Sequence, residues 1–356
     1  MVGTKEIRVL LEILKGEAER TVTTADINTG ELLRLAEIHK VSYRLLVYAQ
    51  GHPGMFGPEE TATLEDRCRQ HAMRSLQQLH ELIRVTRSLQ EAGIPFAVIK
   101  GPQLARMVYG RETLKESVDL DVMLTDPSDL GRLHEKLTEL GYGWSNMNPY
   151  KTAWSRRIFL EAKREVQYVN LKNQICIDLH VRPGANTYLT EPLFRDFFTD
   201  LVAFPLEGTD MPVLPPEKYF VYLCYHGALH QFSRLAWLMD IRAFLSHMRS
   251  TLDFNKVLSI AHAWQAEKSL FLAMHLLEMY FGDDIPLEIS GNPDYKRLPR
   301  YLTKVCTGII AKNASYGLTF RGRTEKVFYI MVLTTGIAAK IDWLYGIVMR
   351  FVVKRI

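Results

Sequence analysis

The chain has 356 residues, 47% hydrophobic and 24% charged, with a formal net charge of +4. Those totals suit a globular protein with two or three compact units. The basic excess is too small to argue for nucleic-acid binding by itself, and no uncharged apolar run of about 18 residues argues for a membrane span.

The first 93 residues read as helical. Ile7, Leu10, Leu11 and Leu14 recur at helical spacing. A second helix is predicted from Thr29 to Ala49. The breaks His52-Pro53-Gly54 and Gly57-Pro58 come next, and a long third helix runs from Glu59 to Ala92, stopped by Gly93.

From Ile94 the period changes. Ile94 to Ile99 is a short apolar strand that runs through Lys100 into the turn Gly101-Pro102, and a helix follows with Leu104, Met107 and Val108. Ser117 to Leu124 reads as a strand of alternating chemistry. Val118, Leu120 and Val122 fall on one face, Asp119 and Asp121 on the other. Two like charges on one strand face repel, and a cation between them would remove that cost. A helix over 128–140 follows. Residues 165–171 and 174–181 read as a hairpin around Lys172-Asn173, its second strand carrying Asp178, His180 and Val181 before Arg182.

Past Pro183-Gly184 helices return. Pro205, Pro212, Pro215 and Pro216 mark loops, and helices are predicted over Glu217–Gln231 and Arg234–Met248. The fold expected is α+β: a small mixed-sheet unit, 94–184, flanked by helical regions 1–93 and 185–356.

Strand, Gly turn, helix, Asp-x-Asp strand and a later Asp strand form the layout of a two-metal nucleotidyl-transfer site. Asp119 and Asp121 point the same way and suit Mg²⁺, with Mn²⁺ as a substitute. Asp178 can complete one metal and serve the attacking hydroxyl. Two ions roughly 3.5–4 Å apart clamp the attacking and leaving oxygens in such chemistry. The plain alternative is a pair of solvated carboxylates on an edge strand. The order of the three acids behind a Gly turn favours the site.

Lys100 and Gly101 open a helix, whose first amides favour phosphate. Lys115 is a second cation for a triphosphate, and Ser117 either holds a phosphate oxygen or caps a turn. By period two, His180 and Arg182 share the face of Asp178 and are candidates for nucleotide or acceptor contact; the alternative for His180 is a hydrogen-bonded core residue. His226 and His230 lie one helical turn apart, near Arg234, Trp237 and Asp240. The spacing suits zinc, but Gly227 stands where a zinc protease has Glu, so a pocket wall is the expected role.

The scattered cysteines, Cys68, Cys176, Cys224 and Cys306, include no CxxC pair and are expected as free thiols in a reducing cytosol. No signal peptide is expected, because residues near Met1 are charged and form no long apolar run. The apolar tail, Val327 to Ile356, mixes Phe328, Tyr329, Trp343, Tyr345 and Phe351 with Lys340, Arg350, Lys354 and Arg355. It is expected to pack in a core; the alternative is peripheral contact with the inner membrane surface.

The runs Val98-Ile99-Lys100-Gly101, Tyr109-Gly110 and Ser117 to Leu124 resemble the uncharacterised nucleotidyltransferase family of the polymerase-β-type superfamily. Ile177-Asp178-Leu179-His180 resembles its later Asp strand, and Tyr222 to Ala228 with Leu235 to Ile241 its helical segment. The resemblance covers about residues 30 to 250. It implies Asp119 and Asp121 as metal ligands and Asp178 as the third carboxylate. The chain departs from the family at Pro102, which removes a backbone donor, and at Lys115, where members tend to have Arg. The expected reaction moves a nucleoside monophosphate from an NTP such as ATP to a small molecule, peptide, protein or RNA end. The rival is a catalytically silent nucleotide-binding module, or a membrane-associated scaffold in surface-polysaccharide or peptide biosynthesis.

Overall fold

A computed structural model describes residues 3–16, 27–144, 165–181, 196–312, 320–337, 340–341 and 344–345. In chain order, helices α1 (Lys5–Lys15), α2 (Thr29–Ile38), α3 (Ser42–Gly51) and α4 (Pro58–Glu91) come first. Strand β1 (Phe96–Lys100), helix α5 (Pro102–Tyr109), strand β2 (Leu120–Leu124), helix α6 (Leu130–Glu139) and strands β3 (Tyr142–Trp144), β4 (Glu165–Asn170), β5 (Cys176–His180), β6 (Val202–Leu206) and β7 (Thr209–Val213) follow. The rest is helical: α7 (Pro216–Leu229), α8 (Leu235–Met248), α9 (Phe254–Ala263), α10 (Glu267–Phe281), the short α11 (Leu287–Ser290) and α12 (Pro293–Lys296), α13 (Arg300–Lys312) and α14 (Phe320–Leu333).

These elements form two compact units, and both are discontinuous in sequence. One holds Met1–Met73, Leu114–Glu116 and Phe220–Thr335; the other holds Arg74–Thr113, Ser117–Tyr219 and Gly336–Ile356. The three consecutive segments of the sequence reading are therefore interleaved in them.

The mixed unit is built on a five-stranded sheet in the order β1-β2-β5-β4-β3. β2 and β5 run parallel, and the other neighbours run antiparallel. One face is apolar. Val98, Leu120, Val122, Leu124, Ile177, Leu179, Val166 and Tyr168 pack against Leu79, Leu82, Val85 and Leu89 of α4 and Leu130, Leu133 and Leu137 of α6. The alternation of strand residues thus meets the helical spacing of α4 and α6 in one core. Burying one such leucine contributes about 1.5–3 kcal/mol.

Beside β1, β6 and β7 form a separate hairpin. The sequence reading places only loops there, because proline demotes a strand run. Pro205 and Pro212 are tolerated because the ladder has just two strands. Glu207 and Gly208 close it, both with positive φ (47° and 71°), as a right-twisted two-residue hairpin turn requires.

The helical unit corrects a second expectation. The single helix predicted from Thr29 to Ala49 is two helices. Lys40 adopts φ 57°, and the Val41 amide reaches back to Ala36 O at 2.8 Å. Buried His39 holds the bend, its carbonyl accepting from Ala236 N at 3.1 Å. Here α1 buries Ile7, Leu10, Leu11 and Leu14, as its spacing predicts. The Gly at 227 is required by packing: a Cβ there would lie 2.3 Å from the Phe232 ring.

Part of the apolar tail is core. Tyr329 is fully buried and donates to Ala228 O at 2.9 Å, with Ile330 and Leu333 buried on the same helix. Phe328, Ile337, Ile341 and Leu344 are exposed. Trp343 and 346–356 lie outside the described residues. Among the described residues no helix is long and apolar enough to cross a membrane, and all four cysteines are free thiols.

Candidate active site

The sheet's second face carries the acids. Asp121 of β2 is in register with Asp178 on the parallel strand β5, with Lys100 on β1 and, through Asp178, with Gln167 on β4. Lys100, Asp121, Asp178 and Gln167 therefore form one row across four strands. Asp119 precedes β2 by one residue, so the strand begins later than its sequence pattern suggests. It still belongs to this face, because its carboxyl hydrogen-bonds that of Asp178.

Lys100 reaches the row by a backbone irregularity. Strict alternation would put it with Phe96 and Val98 on the apolar face. The register shifts between Val98 and Lys100, so Val98 opposes Val122 while Lys100 opposes Asp121. The extra residue turns the ammonium onto the acidic face, as a β-bulge does. Lys100 Nζ then stands 3.0 Å from Asp121 Oδ1. His180, two residues past Asp178, brings Nε2 to 2.9 Å from the same oxygen.

The reading of Asp119 and Asp121 as solvated carboxylates on an edge strand is excluded. β2 lies between β1 and β5, and Asp121 is 6% exposed. Burial works against its charge, yet Lys100 and His180 hold its carboxyl well below the usual aspartate range. Asp119 goes the other way. Burial, reinforced by the charges of Asp121 and Asp178, pushes it up to about 7. Asp178 is also raised by burial, against the donated hydrogen bonds of Asp119 and Gln167, the latter 3.1 Å away. Asp119 keeps its proton and donates it to Asp178.

This has a measurable sign. An unfolded aspartate releases its proton near 3.8, and folded Asp119 near 7. The folded state gains stability from the bound proton below about pH 4, and that contribution is lost as pH rises through 7. With chelator present, the melting temperature of the wild type minus that of Asp119→Asn should fall by several degrees between pH 4 and 8. A pH-independent difference would contradict the shared proton.

Gly101 links the row to α5. Its φ of 107° and ψ of −148° suit glycine alone, and its Cα side abuts the Asp119 carbonyl, 3.7 Å from where a Cβ would stand. Gly101→Ala should cost about 1–3 kcal/mol by backbone strain, read as a lower melting temperature. Ser117 Oγ is buried and has no hydrogen-bond partner among the described residues, so a polar group is left for a ligand to satisfy.

The other candidates lie elsewhere. Lys115 belongs to the helical unit, where the Asp240 carboxylate takes its ammonium. His226 and His230 also belong to that unit, with ring centroids 4.6 Å apart and Trp237 edge-on to His226 at 5.7 Å. Arg234 covers the Trp237 ring. They form an aromatic cluster of α7 and α8. Arg182 lies outside the described residues. Gln167 was missed by sequence reasoning, although the hairpin register would have placed it opposite Asp178.

A divalent cation fits the donor set in chemical terms. Three carboxyls on one face, two sharing a proton for want of countercharge, are hard oxygen donors that a cation would relieve. Among the described residues no three His, Cys, Asp or Glu side chains already stand as a ligand group. Lys100 and His180 are the partners of Asp121, while Asp119 is hydrogen-bonded to Asp178. Cation binding would replace the shared proton.

The family model described as "Uncharacterised nucleotidyltransferase" matches residues 25–282. None of the curated proteins compared matches the chain. Among solved structures, an antigenic nucleotidyltransferase-like protein from Paracoccidioides brasiliensis is 13% identical over 61% of this chain and 98% of its own, with a TM-score of 0.38. The family match spans most of the chain and includes every acid of the row: the protein belongs to the uncharacterised nucleotidyltransferase family.

Proposed function

We propose that the mixed unit transfers a nucleoside monophosphate from an NTP to a hydroxyl or phosphate acceptor, with Mg²⁺ held by Asp119, Asp121 and Asp178. The observation that carries this reading is the convergence of the three acids on one sheet face, Asp121 in register with Asp178 and Asp119 hydrogen-bonded to Asp178. Bound Mg²⁺ would supply the positive charge that a triphosphate beside three carboxylates needs.

The chain's own groups do the rest. Ser117 Oγ donates to a phosphate oxygen. Gly101 lets phosphate approach the start of α5, where Pro102 has no N–H and the amides of Gln103 and Leu104 are the first donors. Asp178, its carboxyl raised by burial, accepts the proton of an acceptor hydroxyl at a carboxylate oxygen. The acceptor oxygen bonds to the α-phosphorus, the bond to the bridging oxygen breaks, and pyrophosphate leaves. Lys100 keeps Asp121 ionised and oriented.

Calorimetric titration tests the binding half. NTP should bind the wild type with Mg²⁺ and at least tenfold more weakly with chelator. Binding indifferent to Mg²⁺ would reject the reading.

A further inference from the structure

We propose that Gln103 is a positioning residue: its buried amide holds the bulge of β1 and so keeps Lys100 on the acidic face, against Asp121. For its effect on rate the inference rests on the transferase reading above. Every residue it uses belongs to the mixed unit.

The bulge leaves backbone groups to be satisfied. Val98 pairs with Val122 and Lys100 with Asp121, so Ile99 has no residue opposite it on β2. A bulge disrupts the ladder locally, and the peptide groups beside it need other partners. Gln103, in the first turn of α5, supplies one. It is fully buried, and its Nε2 donates to Val98 O at 3.5 Å and to Tyr219 Oη at 2.8 Å. The Val98 carbonyl belongs to the peptide that leads into Ile99, the extra residue. Tyr219 is also fully buried, so packing fixes the hydroxyl that steers the amide.

Two observations separate this from ordinary core packing. First, Gln103 Oε1 is buried and has no hydrogen-bond partner among the described residues. A buried amide left half satisfied is destabilising, and an apolar side chain of the same length would avoid that loss. What favours glutamine at this position is the pair of acceptors that Nε2 reaches. Second, the side chain also borders the turn. Oε1 lies 3.8 Å from where a Cβ on Gly101 would stand. Gln103 thus touches the chain on both sides of Lys100, at Val98 and at Gly101. Between those two contacts the backbone turns Lys100 Nζ to 3.0 Å from Asp121 Oδ1.

Gln103 acts on Asp121 through Lys100, so a double-mutant cycle tests the link. Full-length wild type, Gln103→Met, Asp121→Asn and the double variant are compared by thermal melt. Amide hydrogen exchange and NTP kinetics are measured beside them. The drop in melting temperature caused by Asp121→Asn should be at least halved in the Gln103→Met background, because Lys100 no longer faces the acid. In Gln103→Met, exchange over residues 99–101 should rise about tenfold while that over 166–169 stays unchanged. kcat should fall about tenfold with KM for NTP within roughly threefold. In a Lys100→Met background the same substitution should change kcat less than about twofold, since the group it positions is gone. If Gln103→Met does not fold, Tyr219→Phe, which removes the steering hydroxyl, is read by the same criteria. Additive melting losses with unchanged exchange over 99–101 in a folded variant reduce Gln103 to packing and overturn the inference alone. A wild type that transfers no nucleotide overturns the transferase reading, and the melts and exchange then decide by themselves whether Gln103 holds Lys100.

Discussion

Asp119→Asn is expected to make the metal-free protein more stable at pH 8 and nearly inactive. The two effects share one cause. At that pH the Asp119 proton, held to about 7 by burial and by the charges of Asp121 and Asp178, has left. Three carboxylates then crowd one sheet face. The amide keeps the shape, removes one charge and can still donate to Asp178. The gain should be on the order of a few kcal/mol, following the linkage between a raised carboxyl and stability. Transfer should fall roughly 10³-fold, because the lost charge serves the transition state. Added Mg²⁺ should raise the melting temperature of the wild type and leave the variant nearly unmoved. A variant less stable than wild type at pH 8 in chelator would contradict the electrostatics.

Asp121→Asn should abolish transfer and also damage the fold. Asp121 is the common partner of Lys100 and His180, at 3.0 and 2.9 Å. Without its charge the Lys100 ammonium, 13% exposed, loses the carboxylate that stands 3.0 Å from it. The cost should be about 3–5 kcal/mol, as for other broken buried pairs. Adding Lys100→Met should recover most of that stability and none of the transfer, since the ligand charge is still missing. Thermal melts of the single and double variants, with labelled-NTP transfer beside them, separate the two losses. Recovery of transfer in the double variant would remove Asp121 from the chemistry.

The acids of the site were legible because a strand alternates. Asp119 and Asp121 share a side by period two, and the hairpin around Lys172-Asn173 set Asp178 on the next element. The residues that steer those acids were not legible. Lys100 reaches Asp121 only because a bulge reverses its side, and a bulge leaves no residue signature in Val98-Ile99-Lys100. Lys115 was read as a triphosphate ligand, since a lone lysine near an acidic strand suggests that. Its partner Asp240 lies 125 residues away, on a helix that no local pattern connects to Lys115. The bend at Lys40 escaped because lysine is a good helix former, and the cause is a tertiary contact through His39. The hairpin over 202–213 escaped because its prolines outweighed Glu207-Gly208. Local period revealed faces; distant pairings decided which charged groups those faces meet.

The central claim is tested most directly by following α-phosphate label. Wild type, Asp119→Asn and Asp121→Asn are incubated with each labelled NTP, a cell extract and Mg²⁺ or chelator. Label should move to an acceptor only with wild type and Mg²⁺, while Asp119→Asn, folded by thermal melt, transfers at background. Transfer by Asp119→Asn at the wild-type rate, or no Mg²⁺-dependent transfer by the wild type with any NTP, would contradict the account.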